Sequence, residues 1–374
     1  MPIAPLRVWR DMQALFIDTS PFTGGAQRSL FGLLSELKRD SAYGIDPHLL
    51  TADDSAAGLA TQARRIGIDT GMIPTRNWPR TWLGLLAAWA DVRNTRPILG
   101  DWLDSRDVDL VYANGIRSGL LCTLGLPNKL PLIFHHRDLR SPQKVLKQVV
   151  ARAVQTITIS NFQRAQCAAE LQAKMSTVHN GFDWPDIRVQ AEAFDAGREF
   201  DLPDGPRVVL VADMVEWKRH AMFLEAAAGQ QFTALVVGGA RDDDGRRYEE
   251  QLRQQAPDNV RFLGFQTNPY PIIRDADVLV SAADGEPFGR TAVEAFGLGT
   301  PVVIAGGGGP QETVGGRAGA AIVEAQPAAI AAAIGQTLAE PPEMTEAMAY
   351  AETFSLPRHA AEISAVLTSQ PVCQ

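Results

Sequence analysis

Short apolar runs alternate with longer amphipathic stretches along all 374 residues of the chain. The runs are nearly free of polar residues and rich in valine, isoleucine and leucine, which is typical of parallel strands buried on both faces of a sheet. We interpret the following segments as strands: 14–18, 110–112, 131–134, 156–159, 207–212, 234–238, 260–264, 278–280 and 301–304. Because helical stretches separate them, the pattern predicts an α/β protein.

The strands fall into two groups, and the length of the chain also favours two domains. We therefore predict two doubly wound, Rossmann-like domains that face a central cleft. Turn residues at 180–185 and a polar stretch at 186–205 separate the two groups, so the predicted domain limits are 1–182 and 183–374. The last amphipathic stretch, 359–367, predicts a terminal helix. One possible course for this helix is to cross back to the first domain.

Seven residues separate Glu286 from Glu294 in the most informative segment of the chain. Pro287 and Gly289 between them favour a turn, and residues 290–296 are predicted to be helical. The two carboxylates would then flank the first turn of a helix, where free N–H groups and the helix dipole favour an anion. A ligand with both a negative charge and hydroxyl groups suits this arrangement, and a sugar nucleotide is such a ligand.

Further candidate residues follow other predicted strands, and ligands of doubly wound sheets lie beyond the carboxyl ends of the strands. Gly24 and Gly25 follow the first strand and allow the backbone to approach a ligand closely, although a plain tight turn is the alternative. Their loop has neither the dinucleotide-binding nor the Walker A spacing. Lys218 offers a compact positive charge to a diphosphate, with Arg219 as the less favoured partner. The alternative for Lys218 is an ordinary surface lysine.

Glycine-containing turns end three more strands of the second half. Gly238 with Gly239, and Gly264 with Phe265, suit the plane of a base and main-chain hydrogen bonds to it. Four consecutive glycines at 306–309 cost more conformational entropy than a plain loop requires. We therefore interpret that run as a loop that approaches the substrate closely.

Polar residues also follow the strand at 131–134, namely His135, His136, Arg137 and Asp138. One interpretation is contact with a hydroxyl or a phosphate, and the other is a pair of surface histidines beside an Arg137–Asp138 ion pair. Two Asp-x-Asp triplets, at 107–109 and 275–277, precede their strands and are interpreted as helix-to-strand turns at the opposite ends of the sheets. We predict no metal site.

Composition narrows the class of protein. A formal net charge of −8 argues against a nucleic-acid-binding protein, which needs a basic face to neutralise phosphates. Three scattered cysteines, Cys122, Cys167 and Cys373, form neither a disulfide framework nor a metal-binding spacing. The first residues lack the apolar core of a signal peptide. The longest apolar run, 82–90, is too short to span a bilayer. We therefore expect a soluble cytoplasmic protein.

Tryptophans 78, 82 and 89, interleaved with leucines and arginines, predict an amphipathic helix with a basic rim. Such a helix suits peripheral contact with an anionic membrane surface, at the inner face of the membrane. The alternative is that these side chains line the core or an acceptor cleft.

These residues together resemble the family 4 (GT4) retaining glycosyltransferases, the glycosyl transferases group 1, which have the GT-B fold. The resemblance covers nearly the whole chain, and its most specific part is the Glu-x7-Glu segment. The motifs that carry it are Gly24-Gly25-Ala26, Thr158 to Asn161, His179 to Asp183, Glu286 to Glu294, Gly299 to Val303 and Gly306 to Glu312.

The resemblance implies roles for individual residues. Glu294 would bind the ribose hydroxyls, Glu286 would lie at the sugar ring, and Lys218 would neutralise the departing diphosphate. The first domain would bind the acceptor and the second the nucleotide sugar. The implied catalytic residues are Glu286, Lys218, Arg137 and His136, and the implied donor-binding residues are Gly24, Gly25, Gly238, Phe265, Phe288, Gly289, Arg290, Thr291 and Glu294.

The chain departs from the family pattern at two places. Asp213 stands where many members have an arginine, five residues before the lysine. Arg290, Arg137 or Arg28 would supply the missing charge, or the leaving group would be less well stabilised. The second departure lies at residues 135–138. When the residues are aligned with the family motif without gaps, Arg137 stands where the family often has a histidine before an acidic residue. Both Arg137 and His136 therefore remain candidates for contact with the sugar.

The resemblance implies transfer of a hexosyl unit from a nucleoside diphosphate sugar to a sugar or glycoconjugate acceptor, with retention, in polysaccharide or glycoconjugate biosynthesis. We expect no metal, no cofactor and no nucleic-acid partner. One alternative is a sugar-nucleotide epimerase of the same fold, which would form product without an acceptor. The other is a non-catalytic protein that binds a sugar nucleotide.

Overall fold

The computed structural model describes residues 11–22, 24–75 and 82–370, without the side chains of 82–86, 88 and 89. The strands, in chain order, are β1 Met12–Asp18, β2 Ile45–Thr51, β3 Thr70–Met72, β4 Leu110–Asn114, β5 Leu132–His136, β6 Gln155–Thr158, β7 Met175–Thr177, β8 Arg207–Val211, β9 Thr233–Val237, β10 Val260–Gly264, β11 Val278–Ser281, β12 Val302–Ala305 and β13 Ala320–Val323. They form two parallel sheets, of seven and six strands, so the predicted α/β fold is confirmed.

Helices connect most of the successive strands. In chain order they are α1 Gly25–Arg39, α2 Leu59–Arg65, α3 Trp82–Ser105, α4 Ile116–Gly125, α5 Gln143–Arg152, α6 Asn161–Ala165, α7 Ala169–Gln172, α8 Trp184–Ala191, α9 Ala196–Glu199, α10 His220–Ala227, α11 Asp243–Gln255, α12 Tyr270–Arg274, α13 Arg290–Gly297, α14 Gly309–Thr313, α15 Pro327–Ala339, α16 Thr345–Ala351 and α17 Leu356–Thr368. Among the described residues, no helix combines the length and the apolarity needed to cross a bilayer.

The chain divides into two compact units. The described parts of Met1–Ile159, Cys167–Gly181 and Leu356–Gln374 form the first unit, and Ser160–Gln166 with Phe182–Ser355 forms the second. The predicted domain limits stay a prediction. The compact units differ from those limits at Ser160–Gln166, at Phe182 and at the last helix.

In the first unit the sheet order is β3-β2-β1-β4-β5-β6-β7, so the order reverses beside β1. Alternate residues of β1 supply two cores, as the period of a strand requires. Ala14 and Phe16 pack with apolar residues of α1, α2 and α17, whereas Leu15 and Ile17 pack with those of α3, α4 and α5. The predicted terminal helix, α17, is therefore part of the core of the first unit.

The second unit has the order β10-β9-β8-β11-β12-β13. Val208 of β8 and Val280 of β11 lie in one core with Phe223 of α10 and Ile330 of α15. Every strand pairing in this sheet is parallel, and the loops after β8, β9, β11 and β12 therefore all leave the same edge of the sheet. That edge carries most of the predicted site residues.

All the predicted strands are confirmed, but β2, β3, β7 and β13 were not predicted. β2 contains Pro47 and His48, which interrupt an apolar run, while β3 and β7 are only three residues long. The Asp-x-Asp turns are confirmed at the amino ends of the strands. Asp109 accepts a hydrogen bond from the Gln13 N–H, and Asp277 accepts one from the Arg207 N–H, each at 2.8 Å.

The predicted tryptophan-rich amphipathic helix is described only in part. Residue 78 lies outside the described residues, as do the side chains of Trp82 and Trp89. The backbone from Trp82 onward forms α3. Peripheral membrane contact therefore stays a prediction.

Candidate functional site

The loop between β11 and α13 carries the two carboxylates of the Glu-x7-Glu segment. Gly289 is the residue before the helix and has φ +84°, a conformation that disfavours any residue with a Cβ. A Cβ there would also lie 2.5 Å from Pro310 Cγ. Arg290 begins the helix, so the predicted turn and helix are confirmed, with Glu294 about one turn inside it.

Both carboxylates have a cationic partner. Glu294 is 4% exposed, and Arg290 Nη2 donates to its Oε1 at 3.1 Å. The Arg290 guanidinium also lies 4.4 Å above the Phe182 ring. Glu286 forms an ion pair with Lys218, and both of these side chains are mostly buried. The structure thus places Lys218 and Glu286 together, although they lie 68 positions apart in the sequence.

Main-chain contacts fix the loop that carries Glu286. Its backbone pairs with Gly308 in an isolated parallel bridge, and the Gly309 N–H donates to the Glu286 carbonyl at 2.7 Å. Thr313 Oγ1 donates to the carbonyl of Phe288 at 3.2 Å. Phe288 is buried and its ring serves as an apolar anchor, while its predicted main-chain contact with the donor stays a prediction. The glycine-rich turn therefore holds the Glu286 loop, and its predicted close approach to the substrate stays a prediction.

The loops after β8 and β9 lie side by side at the same edge of the sheet. Gly238 allows the two loops to approach closely, since a Cβ at this position would lie 1.8 Å from the Ala212 carbonyl oxygen. Asp213 forms an ion pair of 2.8 Å with Arg241, a residue that sequence reasoning missed. Its position in the sequence could have indicated it, because Arg241 follows the end of β9 by four residues.

Arg219 is the other cation after β8. Its backbone adopts a left-handed conformation with φ +56°, which costs about 1 kcal/mol or more for a residue other than glycine. Its guanidinium pairs with Asp284 at 3.1 Å, and the Asp284 N–H donates to the Trp217 carbonyl at 2.7 Å. The loops after β8 and β11 are thus joined by side-chain and main-chain contacts.

Two residues predicted to bind the donor stand at other positions of the second unit. Phe265 follows Gly264, which has φ +68°, and its ring is 61% exposed. An exposed aromatic ring at a strand end has a face available for stacking. Thr291 is in the first turn of α13, where backbone N–H groups lack an intrahelical partner.

In the first unit, a buried polar network occupies the carboxyl ends of the strands. Arg137 is 6% exposed and donates from Nε to Asn114 Oδ1 at 2.7 Å and from Nη1 to Asn180 Oδ1 at 2.6 Å. Asn114 in turn donates to Asp18 Oδ2 at 2.5 Å, and Ser29 Oγ donates to Asn180. Arg137 therefore joins the ends of β1 and β4 to the segment after β7. Its predicted contact with the sugar stays a prediction.

Burial governs the protonation of this network. It raises the pKa of Asp18, while hydrogen bonds from Asn114 and Gln27 favour the ionised form. Burial lowers the pKa of His135 well below its ordinary value, with Arg137 adding to the effect. It also lowers the pKa of His136 to about 4. His136 is therefore neutral near pH 7 and offers a hydrogen-bonding ring rather than a cation.

His135 and His136 contradict one of the two interpretations made from the sequence. They are the last residues of β5, and both are buried, so the interpretation as surface loop histidines is wrong. His135 is hydrogen-bonded to the Tyr112 hydroxyl.

Gly24 precedes α1, and its N–H donates to Gln27 Oε1 at 3.0 Å, which places the Gly24–Gly25 turn at a helix start as predicted.

Residues with metal-binding side chains are not clustered in the part of the chain that the structure describes, where no three His, Cys, Asp or Glu residues are grouped to hold an ion. Metal independence and the absence of a cofactor stay predictions.

Comparison with known proteins identifies a family model that matches within the second unit, and relatives that match parts of the chain. Residues 205–340 match the family model described as glycosyl transferases group 1. A lipopolysaccharide core biosynthesis glycosyltransferase of Rhizobium meliloti, LpsE, is 29% identical over 134 residues, which are 34% of this chain and 39% of LpsE. The D-inositol 3-phosphate glycosyltransferase of Mycolicibacterium gilvum is 29% identical over 227 residues, 56% of this chain and 50% of the relative. The chain thus spans half or less of the length of these relatives.

A solved structure covers nearly the whole chain. The Anabaena protein HepE, crystallised in complex with UDP and glucose, superposes with a TM-score of 0.79 at 22% identity, over 96% of this chain and 100% of HepE. At that identity the likeness shows the fold. The predicted GT-B fold is therefore confirmed, and so is the resemblance to group 1 glycosyltransferases.

Proposed function

We propose that this chain, whose residues 205–340 belong to the glycosyl transferases group 1 family, is a retaining family 4 hexosyltransferase. It would move a hexosyl unit from a nucleoside diphosphate sugar to an acceptor hydroxyl, in the synthesis of a polysaccharide or glycoconjugate. The matched residues include Lys218, Glu286 and Glu294. The relatives described above support sugar transfer, and the ligands named for HepE make a UDP-hexose the first donor to test.

The observation that carries the proposal is the Lys218–Glu286 ion pair beside the first turn of α13. In the proposed complex, Lys218 turns to the diphosphate and Glu286 accepts hydrogen bonds from sugar hydroxyls. Glu294, buried about one turn inside the same helix, binds the ribose. The ion pair holds both side chains near the first turn of α13 before the donor arrives, and Lys218 then exchanges its carboxylate partner for the diphosphate.

The proposed reaction breaks the bond between the anomeric carbon and the diphosphate oxygen, and the electron pair leaves with the diphosphate. The acceptor oxygen forms the new bond to the anomeric carbon, and its proton passes to the diphosphate. Lys218 and the N–H groups of α13 stabilise the charge that develops on the leaving group. We assign no covalent nucleophile. The cations on the strand-end loops support a metal-independent reaction.

A binding screen followed by a transfer assay tests the proposal. Wild-type protein is screened by thermal shift with UDP, GDP, ADP and their hexose conjugates, since a ligand that binds only the folded state raises its stability. The best donor is then assayed with sugar acceptors. We expect Lys218→Ala to lower kcat about 10²–10³-fold. Lys147→Ala is the control, because the ion pair of Lys147 with Glu170 is exposed.

The outcomes separate the alternatives. Stabilisation by none of these nucleotides would overturn the proposal. Conversion of the sugar nucleotide to an isomer without any acceptor would indicate an epimerase. Tight donor binding with neither transfer nor hydrolysis would indicate a non-catalytic binding protein.

A further inference from the structure

Ion pairs dominate the loops at the carboxyl ends of the second unit's strands. Each pair joins a cation to a carboxylate, so together they contribute no net charge. The pairs are Lys218–Glu286, Arg219–Asp284, Arg241–Asp213 and Arg290–Glu294. The diphosphate of the proposed donor brings about two negative charges to this edge. A cation beyond Lys218 that turned part of its hydrogen-bonding capacity to the phosphates would balance this charge.

The pairs differ in how readily they can do this. Glu294 is buried within its helix, and Arg290 is also held against Phe182. Arg219 extends towards the loop after β12, where a Cβ on Gly306 would lie 2.8 Å from its Nη1. Arg241 is about as exposed as Arg219, 31% against 29%, but it pairs with Asp213 of the loop after β8 rather than with a carboxylate of the loop after β11. It also stands beside β8, the strand whose loop leads to Lys218.

We propose that Arg241 is the second cation that binds the diphosphate of the donor, and that Asp213 positions it. This inference rests on the proposed function. Asp213 occupies the place, five residues before Lys218, where the resemblance implies an arginine. A guanidinium is nevertheless present beside that place, because Arg241 reaches Asp213 from the neighbouring strand-end loop.

The backbone supports this reach. The Ala212 N–H donates to the Val237 carbonyl at 2.9 Å, and the Met214 N–H donates to the Gly239 carbonyl at 3.1 Å. The loops after β8 and β9 therefore continue side by side past the ends of their strands. Arg241 lies two residues beyond the last of these contacts, opposite Asp213.

The chemistry of arginine allows both contacts at once. A guanidinium has five N–H donors in a planar fork, so it can keep one edge on a carboxylate while the other edge binds a phosphate oxygen. Without Arg241, the carboxylate of Asp213 would stand near the diphosphate as a like charge and weaken its binding. Arg241 thus both cancels that repulsion and adds attraction, which a lysine in its place would do less well.

Binding of nucleotides by purified variants tests the inference. Calorimetry is performed with the nucleoside diphosphate that best stabilises the wild type and with the corresponding monophosphate. We expect Arg241→Gln to weaken diphosphate binding about tenfold, since a charge-assisted hydrogen bond is lost and Asp213 is left unneutralised. The monophosphate should lose clearly less. Arg247→Gln is the matched control, because Arg247 also pairs with an aspartate, Asp244, but on an exposed face of α11.

Further variants keep the test decisive if Arg241→Gln folds poorly. Arg241→Lys keeps the charge and should give an intermediate affinity. In the Arg241→Gln background, Asp213→Arg places a cation directly at the position and should restore diphosphate binding. Equal diphosphate affinity of Arg241→Gln and wild type, or equal losses for diphosphate and monophosphate, would overturn the inference. Failure of the wild type to bind any nucleoside diphosphate would instead overturn the proposed function and this inference with it.

Discussion

Ser160 Oγ donates a hydrogen bond of 2.5 Å to the carbonyl oxygen of Pro287, the residue that follows Glu286. The same hydroxyl accepts from the Gln163 N–H at 2.9 Å and so caps α6. Glu312, from the helix after the glycine-rich turn, accepts from the Asn161 N–H at 2.9 Å. The short helix α6 therefore connects the Glu286 loop with the segment that follows the four glycines, within the second unit.

Loss of the Ser160 hydroxyl should loosen the Glu286 loop. We expect Ser160→Ala to raise the KM for the donor about fivefold, because one hydrogen bond contributes about 1 kcal/mol and the loop carries donor contacts. Ser160→Thr keeps a hydroxyl and should stay near the wild type. Steady-state kinetics at saturating acceptor measures both variants. Ser369→Ala is the control, since Ser369 also donates to a backbone carbonyl, that of Val366, but in the first unit. Equal KM values for Ser160→Ala and Ser369→Ala would contradict a role for Ser160 in donor binding.

Glu294 should govern nucleotide affinity. Glu294→Gln keeps the size of the side chain but loses the charge that accepts from ribose hydroxyls and from Arg290. Because hydrogen bonds to a charged group contribute about 1.5–3 kcal/mol, we expect nucleotide binding to weaken about 10–100-fold in calorimetry. Glu249→Gln removes a similar helical pair, Glu249–Arg253, whose contact is 2.8 Å, and should bind nucleotide like the wild type. An unchanged affinity for Glu294→Gln would exclude ribose binding by this residue.

Sequence reasoning predicted which candidate residues lie together, for a reason that lies in the fold. Parallel strands end at one edge of a sheet, so polar and glycine residues that follow apolar runs must lie together there. Lys218, Gly238 and Glu286 were found in this way. The helix that begins at Arg290 was also predictable, because Pro287 and Gly289 fix the turn before it.

The partners of these residues were not predictable in the same way. Ser160 and Pro287 lie 127 positions apart, and neither loop contains a periodic pattern that reports the contact. Arg241 was missed because a single arginine after a strand resembles any surface cation until its partner, Asp213, is known. Arg137 shows the opposite case, since a hydrophobic pattern does not tell which polar residue at a strand end turns inward.

Gly289 should not tolerate a side chain. Gly289→Ala places a Cβ 2.5 Å from Pro310 Cγ at φ +84°. The strained backbone alone costs about 1–2 kcal/mol, and the clash adds to it, so we expect a lower free energy of unfolding and a loss of donor binding. Urea unfolding and nucleotide binding measure the two effects. Gly335→Ala is the matched control, because a Cβ added at that position inside α15 would meet no atom within 4 Å, and it should stabilise slightly.

His220 should make the free energy of unfolding depend on pH. It is the first residue of α10 and fully buried, and burial lowers the pKa of its ring to about 4, with the nearby Lys218 adding to the effect. An unfolded histidine has a pKa of about 6.5. Between these two values the unfolded chain takes up a proton that the folded chain does not. The free energy of unfolding therefore falls as the pH drops from about 6.5 towards 4, and this contribution levels off below 4.

From these pKa values, His220 should account for about 2 kcal/mol of the stability lost between pH 7.5 and pH 5.0, because each pKa unit corresponds to about 1.4 kcal/mol. Urea unfolding of the wild type and of His220→Gln at the two pH values measures this. The decisive quantity is the difference between the two pH values within each protein, since the substitution also changes packing against Tyr248 at both. Glutamine does not titrate, so the variant should lose about 2 kcal/mol less than the wild type. If both proteins lost the same amount, the folded state would have to accommodate a protonated His220, and the ring would then have to be solvated or paired with a carboxylate rather than held in the apolar surroundings of α10.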